Sequence, residues 1–179
     1  MERGGHMEQA EDLVDIAWRA RREGRLTDAE SVVVQAIAHA RRTGARRELI
    51  RALKALAHVV RDMDQVDRAL PIYEEAVALS RTEGDSLLLA HTVRHLGDVY
   101  RGAGRIADAE RCYDEALILY RSAPDARALD FANALRPAAL LKEAQGDASG
   151  ARQLWSEARQ HYAGYQEAID ECDRHLSRL

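Results

Sequence analysis

Apolar side chains recur along the chain at intervals of three and four residues, with charged residues between them. This spacing places the apolar positions on one face of an α-helix. The clearest such stripe recurs forty residues later: the first copy is Leu53, Leu56, Ala57 and Val60, and the second is Val93, Leu96, Gly97 and Tyr100. The pattern predicts amphipathic helices whose apolar stripes face inward.

The helical pattern is organised as a repeat. Segments beginning at positions 24, 64, 104 and 146 align with one another, with offsets of 40, 40 and 42 residues. Small residues recur at three places in each copy, and small residues allow two helix backbones to approach closely. They are Ala17, Ala57, Gly97 and Ala139; Ala29, Ala69, Ala109 and Ala151; and Ala36, Ala76, Ala116 and Ala158. The repeat therefore predicts four pairs of closely packed helices.

A turn separates the two helices of each pair. Gly24, Gly104 and Gly146 are expected to end the first helix in a left-handed conformation, which glycine adopts at little cost, and Asp64 is a less favourable substitute. One bulky position recurs on the second helix and is expected to fill the core. It is occupied by Val33, Tyr73, Tyr113 and Trp155.

This set of small residues and turn glycines resembles the tetratricopeptide repeat (TPR) family over nearly the whole chain. The period exceeds the common one of about 34 residues and is similar to the extended repeats of kinesin light chains. The proline usual after each second helix is absent, and Arg41, Arg81 and Arg121 occupy that neighbourhood. HEAT repeats have a comparable period but do not account for the glycine and paired-alanine spacing. The resemblance implies an all-α fold, a right-handed superhelical solenoid whose first helices line the concave side.

We expect an N-terminal tail over residues 1–6, four repeats over 7–163 (about 7–44, 45–84, 85–123 and 124–163), and a C-terminal capping helix over 164–179. Asp85 and Ser86 are expected at one helix start, and Pro124 and Asp125 at another. Pro137 lies inside a predicted helix, where its ring and missing N–H predict a kink or a restart near Asn133.

The bulk properties favour a soluble intracellular protein. The net charge of -4 gives no overall attraction for nucleic acid or an anionic membrane, and there are only two cysteines, Cys112 and Cys172. The N-terminal residues lack an apolar run of the kind found in signal peptides. We therefore expect a cytoplasmic protein with neither nucleic acid nor membrane as a partner.

Candidate binding residues lie on the outward stripes of the first helices. Spacings of three and four residues hold each stripe on one face, and the two central stripes carry five Lys or Arg, two His and one Asp. They predict a basic concave groove that binds an acidic peptide or protein segment. Trp18 is either an apolar anchor for the ligand or a packed residue. The candidate residues are Trp18, Arg51, Lys54, His58, Arg61, His91, Arg94, Asp98, Arg101 and Arg136.

Acidic residues are expected mainly on the second helices, away from this groove. They are Asp28, Glu30, Glu74, Glu75, Asp108, Glu110, Asp114, Glu115 and Glu157.

Catalytic and metal-binding chemistry is weakly represented. His91 and His95 share a helix face, but no third ligand is evident, and no nucleophile or glycine-rich phosphate loop accompanies His58 and Asp98. We predict no enzyme activity, no catalytic residues, no metal and no cofactor. The prediction is a protein-interaction scaffold, with a ligand-sensing domain for a small anion or signalling peptide as the alternative. Homo-oligomerisation is left open.

Overall fold

The computed structural model describes the backbone of residues 3–179 and the side chains from residue 13 onward. Within this part of the chain all regular secondary structure is α-helical, as predicted. The helices are α1 (Arg3–Arg22), α2 (Leu26–Thr43), α3 (Arg46–Asp62), α4 (Val66–Thr82), α5 (Ser86–Gly102), α6 (Ile106–Ser122), α7 (Ala128–Ala144), α8 (Ala148–His161) and α9 (Gln166–Leu176). Helix α1 begins at Arg3, so helical backbone extends into the segment 1–6 that was expected to be a tail.

The chain divides after Asp85 into two compact units. In the first unit α1 pairs with α2 and α3 with α4, and further contacts join α2 to α3 and α1 to α3. In the second unit α5 pairs with α6 and α7 with α8, with contacts from α6 to α7, α5 to α7 and α8 to α9. Each unit therefore contains two stacked helix pairs, and the second unit also contains α9. This arrangement confirms the predicted helical repeats.

The recurring small residues lie where the helices touch. Every alanine of the three repeated positions is buried, with at most 1% of its surface exposed. At the one glycine among them, Gly97, an added Cβ would lie 2.8 Å from Cε1 of Tyr113. The bulky residues opposite, Val33, Tyr73, Tyr113 and Trp155, are also buried. The prediction that close helix contact requires small residues at these positions is confirmed.

The turn inside each helix pair has the same hydrogen-bonded geometry in all four copies. The turn residue is left-handed, with φ of 75° at Gly24, 62° at Asp64, 72° at Gly104 and 77° at Gly146. Its N–H donates to the carbonyl three residues earlier, and the next N–H donates to the carbonyl five residues earlier, as in Arg25 to Ala20 at 2.9 Å. These two bonds satisfy carbonyls that the helix end would leave unpaired. Among described non-glycine residues, Asp64 alone has positive φ.

The predicted restart at Pro137 is wrong, because α7 runs from Ala128 to Ala144 with the proline inside it. Buried side chains on both sides of the proline, including Leu135 and Leu141, hold the two halves against the core. Such packing offsets the lost backbone hydrogen bond. Helix α5 begins at Ser86 as expected, whereas α7 begins at Ala128, after Pro124 and Asp125.

Candidate partner-binding face

Four basic residues occupy the same position on four helices. The ninth residue is Lys54 in α3, Arg94 in α5, Arg136 in α7 and Arg174 in α9. We call these four residues, one in the first unit and three in the second, the basic row, a name that refers to their common position in the helices. The repeat alignment identified the first three but missed Arg174, because α9 begins 38 residues after α7 and not 40 or 42.

In the first unit, the predicted residues differ in how far they reach solvent. Arg51 is exposed, and Lys54 and Arg61 are half-buried. His58 was predicted to face outward but is buried, with 8% of its surface exposed. Its ring lies 5.2 Å from that of Trp18 and meets the Tyr73 ring edge-on at 5.7 Å.

Trp18 is half-buried and forms the outer end of this aromatic group. The guanidinium of Arg21 lies 5.1 Å from the centre of its ring, and Nε of Arg21 is 2.7 Å from Oδ2 of Asp62. Arg61 also approaches Asp62, at 3.7 Å. Trp18 is thus packed against the unit on one side. The sequence stripes did not predict the carboxylate of Asp62 beside Arg61 on α3.

In the second unit, Arg94 belongs to a largely buried polar cluster. Its side chain is 15% exposed, and it contacts Oδ2 of Asp98 at 3.4 Å and Nε2 of His95 at 2.5 Å. Oη of Tyr113 donates to Oδ1 of Asp98 at 2.9 Å. Burial raises the pKa of the Tyr113 phenol, and the charge of Asp98 raises it further. The expectation that Arg94 and Asp98 point outward as an open stripe is therefore wrong.

Three further predicted residues belong to the second unit: His91 and Arg101 lie on α5, and Arg136 lies on α7. His91 is half-buried with its ring centre 4.6 Å from that of His95, and Arg101 is exposed. Arg136 donates from Nε and an Nη to the two oxygens of Glu171, at 2.8 and 2.7 Å. Hydrogen bonding within this pair raises the pKa of Arg136 and lowers that of Glu171. Arg136 therefore forms a bidentate pair with a carboxylate of the chain itself.

Several acidic residues of the second helices pair with basic residues one repeat away. Arg41 contacts Glu75 at 2.6 Å, and Arg121 contacts Glu157 at 2.6 Å. These arginines occupy the position at which the common repeat has proline. Each forms an ion pair that links its second helix to the next one. Glu30 pairs similarly with Arg68 at 2.6 Å.

The described residues show little else that could carry chemistry. No group of three or more His, Cys, Asp and Glu side chains among them is arranged to hold a metal ion. Cys112 and Cys172 are buried and not in a disulfide, and burial raises the pKa of Cys172 to about 11. In the described part of the chain, every helix is too short or too polar to cross a bilayer.

Comparison with known proteins supports the family resemblance. Residues 48–122 match the model of the tetratricopeptide repeat family. No curated protein matches the chain in sequence.

Solved structures match over nearly the whole length. A Podosopora anserina protein described as a putative kinesin light chain with nearly identical TPR-like repeats superposes with a TM-score of 0.80 at 16% identity, covering 99% of this chain and 87% of that one. A variant of that protein gives 0.75 at 15% identity, covering 99% and 98%. BtubC (BKLC) from P. vanneervenii gives 0.71 at 16% identity, covering 98% and 89%.

Residues 48–122 are therefore similar to tetratricopeptide repeats, and the chain has the fold of kinesin light chain-like repeat proteins. The resemblance and the all-α repeat architecture predicted from the sequence are confirmed. Folds of this class generally mediate protein–protein interaction and are typically non-catalytic.

Proposed function

We propose that this protein is a non-catalytic interaction scaffold that binds an acidic segment of another protein through basic side chains of its first helices and of α9. The observation that carries this proposal is the basic row, in which four corresponding positions are all Lys or Arg. Arg51 and Arg101 extend the positive charge on α3 and α5. Lysine and arginine side chains at corresponding positions suit a ligand that carries carboxylates.

Arg136 supports carboxylates as the ligand chemistry. Its two-pronged bond to Glu171 is the geometry in which arginine binds a carboxylate more specifically than lysine does. Arg94 has a different role in this proposal, because it holds Asp98 and His95 inside the second unit. We therefore assign recognition to Lys54, Arg136 and Arg174, and positioning to Arg94.

The proposal is tested by fluorescence anisotropy with a labelled oligoglutamate peptide. Changing Lys54→Gln, Arg136→Gln and Arg174→Gln together is expected to weaken binding by about tenfold or more, because three charged contacts are lost. The matched control changes three exposed arginines of second helices, Arg42→Gln, Arg111→Gln and Arg152→Gln, and removes the same net charge.

Equal loss of binding in both triple variants would contradict the proposal, since it would show attraction to net charge alone. An oligoglutamine peptide is expected not to bind. Equally tight binding of an oligothymidylate of the same charge would also contradict recognition of carboxylates. Circular dichroism of each variant establishes that its helices are retained.

A further inference from the structure

Glu171 places a carboxylate of the chain itself on the basic row. It lies in α9, and both of its carboxylate oxygens accept hydrogen bonds from Arg136 of α7. The Arg136 side chain is 45% exposed and that of Glu171 is 24% exposed, so solvent reaches both. Partly exposed ion pairs contribute little net stability, so replacing one partner of such a pair by another charged group costs little free energy. The pair is therefore open to competition.

There is room for a competing ligand beside this pair. An open depression of about 580 Å³ lies along α9. Its walls are Tyr165, Gln166, Glu167, Ala168, Glu171 and Arg174. It therefore joins the Glu171 carboxylate to Arg174 of the basic row. Tyr165 is 49% exposed there.

Helix α9 has other attachments that do not involve Glu171. Cys172 is fully buried in the second unit. Nδ1 of His175 is 2.7 Å from Oε1 of Glu143, which also accepts a hydrogen bond from Nε1 of Trp155. Asp173 pairs with Arg159 at 2.5 Å. Glu171 can therefore leave Arg136 by rotation of its side chain while the helix stays docked.

From this arrangement we infer that Glu171 is a built-in competitor, which occupies Arg136 until the carboxylate of an acidic partner displaces it. The inference rests on the proposed function, and it adds regulation of the same site. The apparent affinity of the partner is lowered by the fraction of molecules in which Glu171 holds Arg136. Partners that supply a single carboxylate are affected most, because they have no second contact with which to compete.

The experiment measures oligoglutamate binding to the wild-type chain and to Glu171→Gln at low and at physiological ionic strength. Glutamine keeps the size of the side chain but removes its charge, so we expect binding to tighten by about two- to fivefold. A control removes the same charge elsewhere: Glu157→Gln breaks the comparable pair with Arg121 between α6 and α8, away from the depression.

The outcomes separate this inference from the proposed function. Tighter binding by Glu171→Gln alone supports the competitor. If the wild type binds and Glu171→Gln binds no more tightly than Glu157→Gln, the inference that Glu171 competes is refuted and the proposed function stands. If neither the wild type nor Glu171→Gln binds the peptide, both are refuted. The unfolding temperature and the α-helix content of Glu171→Gln are compared with those of the wild type. Unchanged values show that α9 remains docked.

Discussion

The aromatic ring of Tyr113 occupies the space in which a side chain at position 97 would lie. A Cβ added to Gly97 would be 2.8 Å from Cε1 and 2.9 Å from Cδ1 of that ring. The phenol is anchored by its bond to Asp98, the neighbour of Gly97, at 2.9 Å. In the preceding repeat the corresponding residues are Ala57, His58 and Tyr73.

Changing Gly97→Ala is expected to destabilise the protein by about 1–3 kcal/mol, because the added methyl group overpacks a buried contact. Chemical denaturation measures the free energy of unfolding. Gly102→Ala is the matched control, since Gly102 also lies in α5 and has no atom within 4 Å of an added Cβ. It is expected to be neutral or stabilising by up to about 1 kcal/mol. A Gly97→Ala variant as stable as the control would contradict the packing argument.

Asp64 carries a backbone cost that its glycine counterparts avoid. With φ of 62°, its Cβ crowds the backbone, so Asp64→Gly is expected to raise the free energy of unfolding by about 0.5–1 kcal/mol. The reverse experiment is Gly24→Ala. Gly24 has φ of 75° and no atom within 4 Å of an added Cβ, so the conformation alone is expected to lower the free energy of unfolding by about 1 kcal/mol. Denaturant midpoints check both. Destabilisation by Asp64→Gly would show that the aspartate side chain contributes more than its conformation costs.

The repeats and their turns could be predicted because each depends on contacts whose residue requirements are local. A left-handed turn favours glycine, and a close helix crossing favours alanine, wherever the rest of the chain lies. The restart predicted at Pro137 does not occur, because the local penalty of the proline is offset by the packing of α7 within the second unit.

The binding residues were predicted less well, because an outward stripe on a helix does not reveal what neighbouring helices bring to it. His58 proved buried since Trp18 and Tyr73 cover it. Glu171 reaches Arg136 from α9, whose start depends on a shorter spacing than that of the repeats. Only the three-dimensional arrangement shows these partners.

Buried tyrosines of the second unit predict alkaline sensitivity. Burial raises the pKa of Tyr120 and of Tyr162 to about 12, above the value of about 10 in an unfolded chain. The folded state therefore keeps protons that the unfolded state releases. Each tyrosine contributes stability that is complete below pH 10 and is lost as the pH rises to about 12. Solvent screening near the surface reduces this contribution to roughly 1–2 kcal/mol for each phenol.

Denaturation at increasing pH, with tyrosinate absorbance followed in parallel, checks this expectation. The phenol of Tyr162 donates to Oδ1 of Asn133 at 3.0 Å, so its ionisation also removes a hydrogen bond. The double variant Tyr120→Phe and Tyr162→Phe is expected to lose less stability between pH 10 and 12. A wild-type chain whose stability is flat over this range would contradict the assignment.

The most direct test of the proposed binding face is to map the contact of an oligoglutamate peptide on the isotope-labelled protein by nuclear magnetic resonance. The proposal predicts that the largest shift changes fall on α3, α7 and α9, around Lys54, Arg136 and Arg174. Changes confined to α2, α4, α6 and α8, or no changes at saturating peptide, would contradict it.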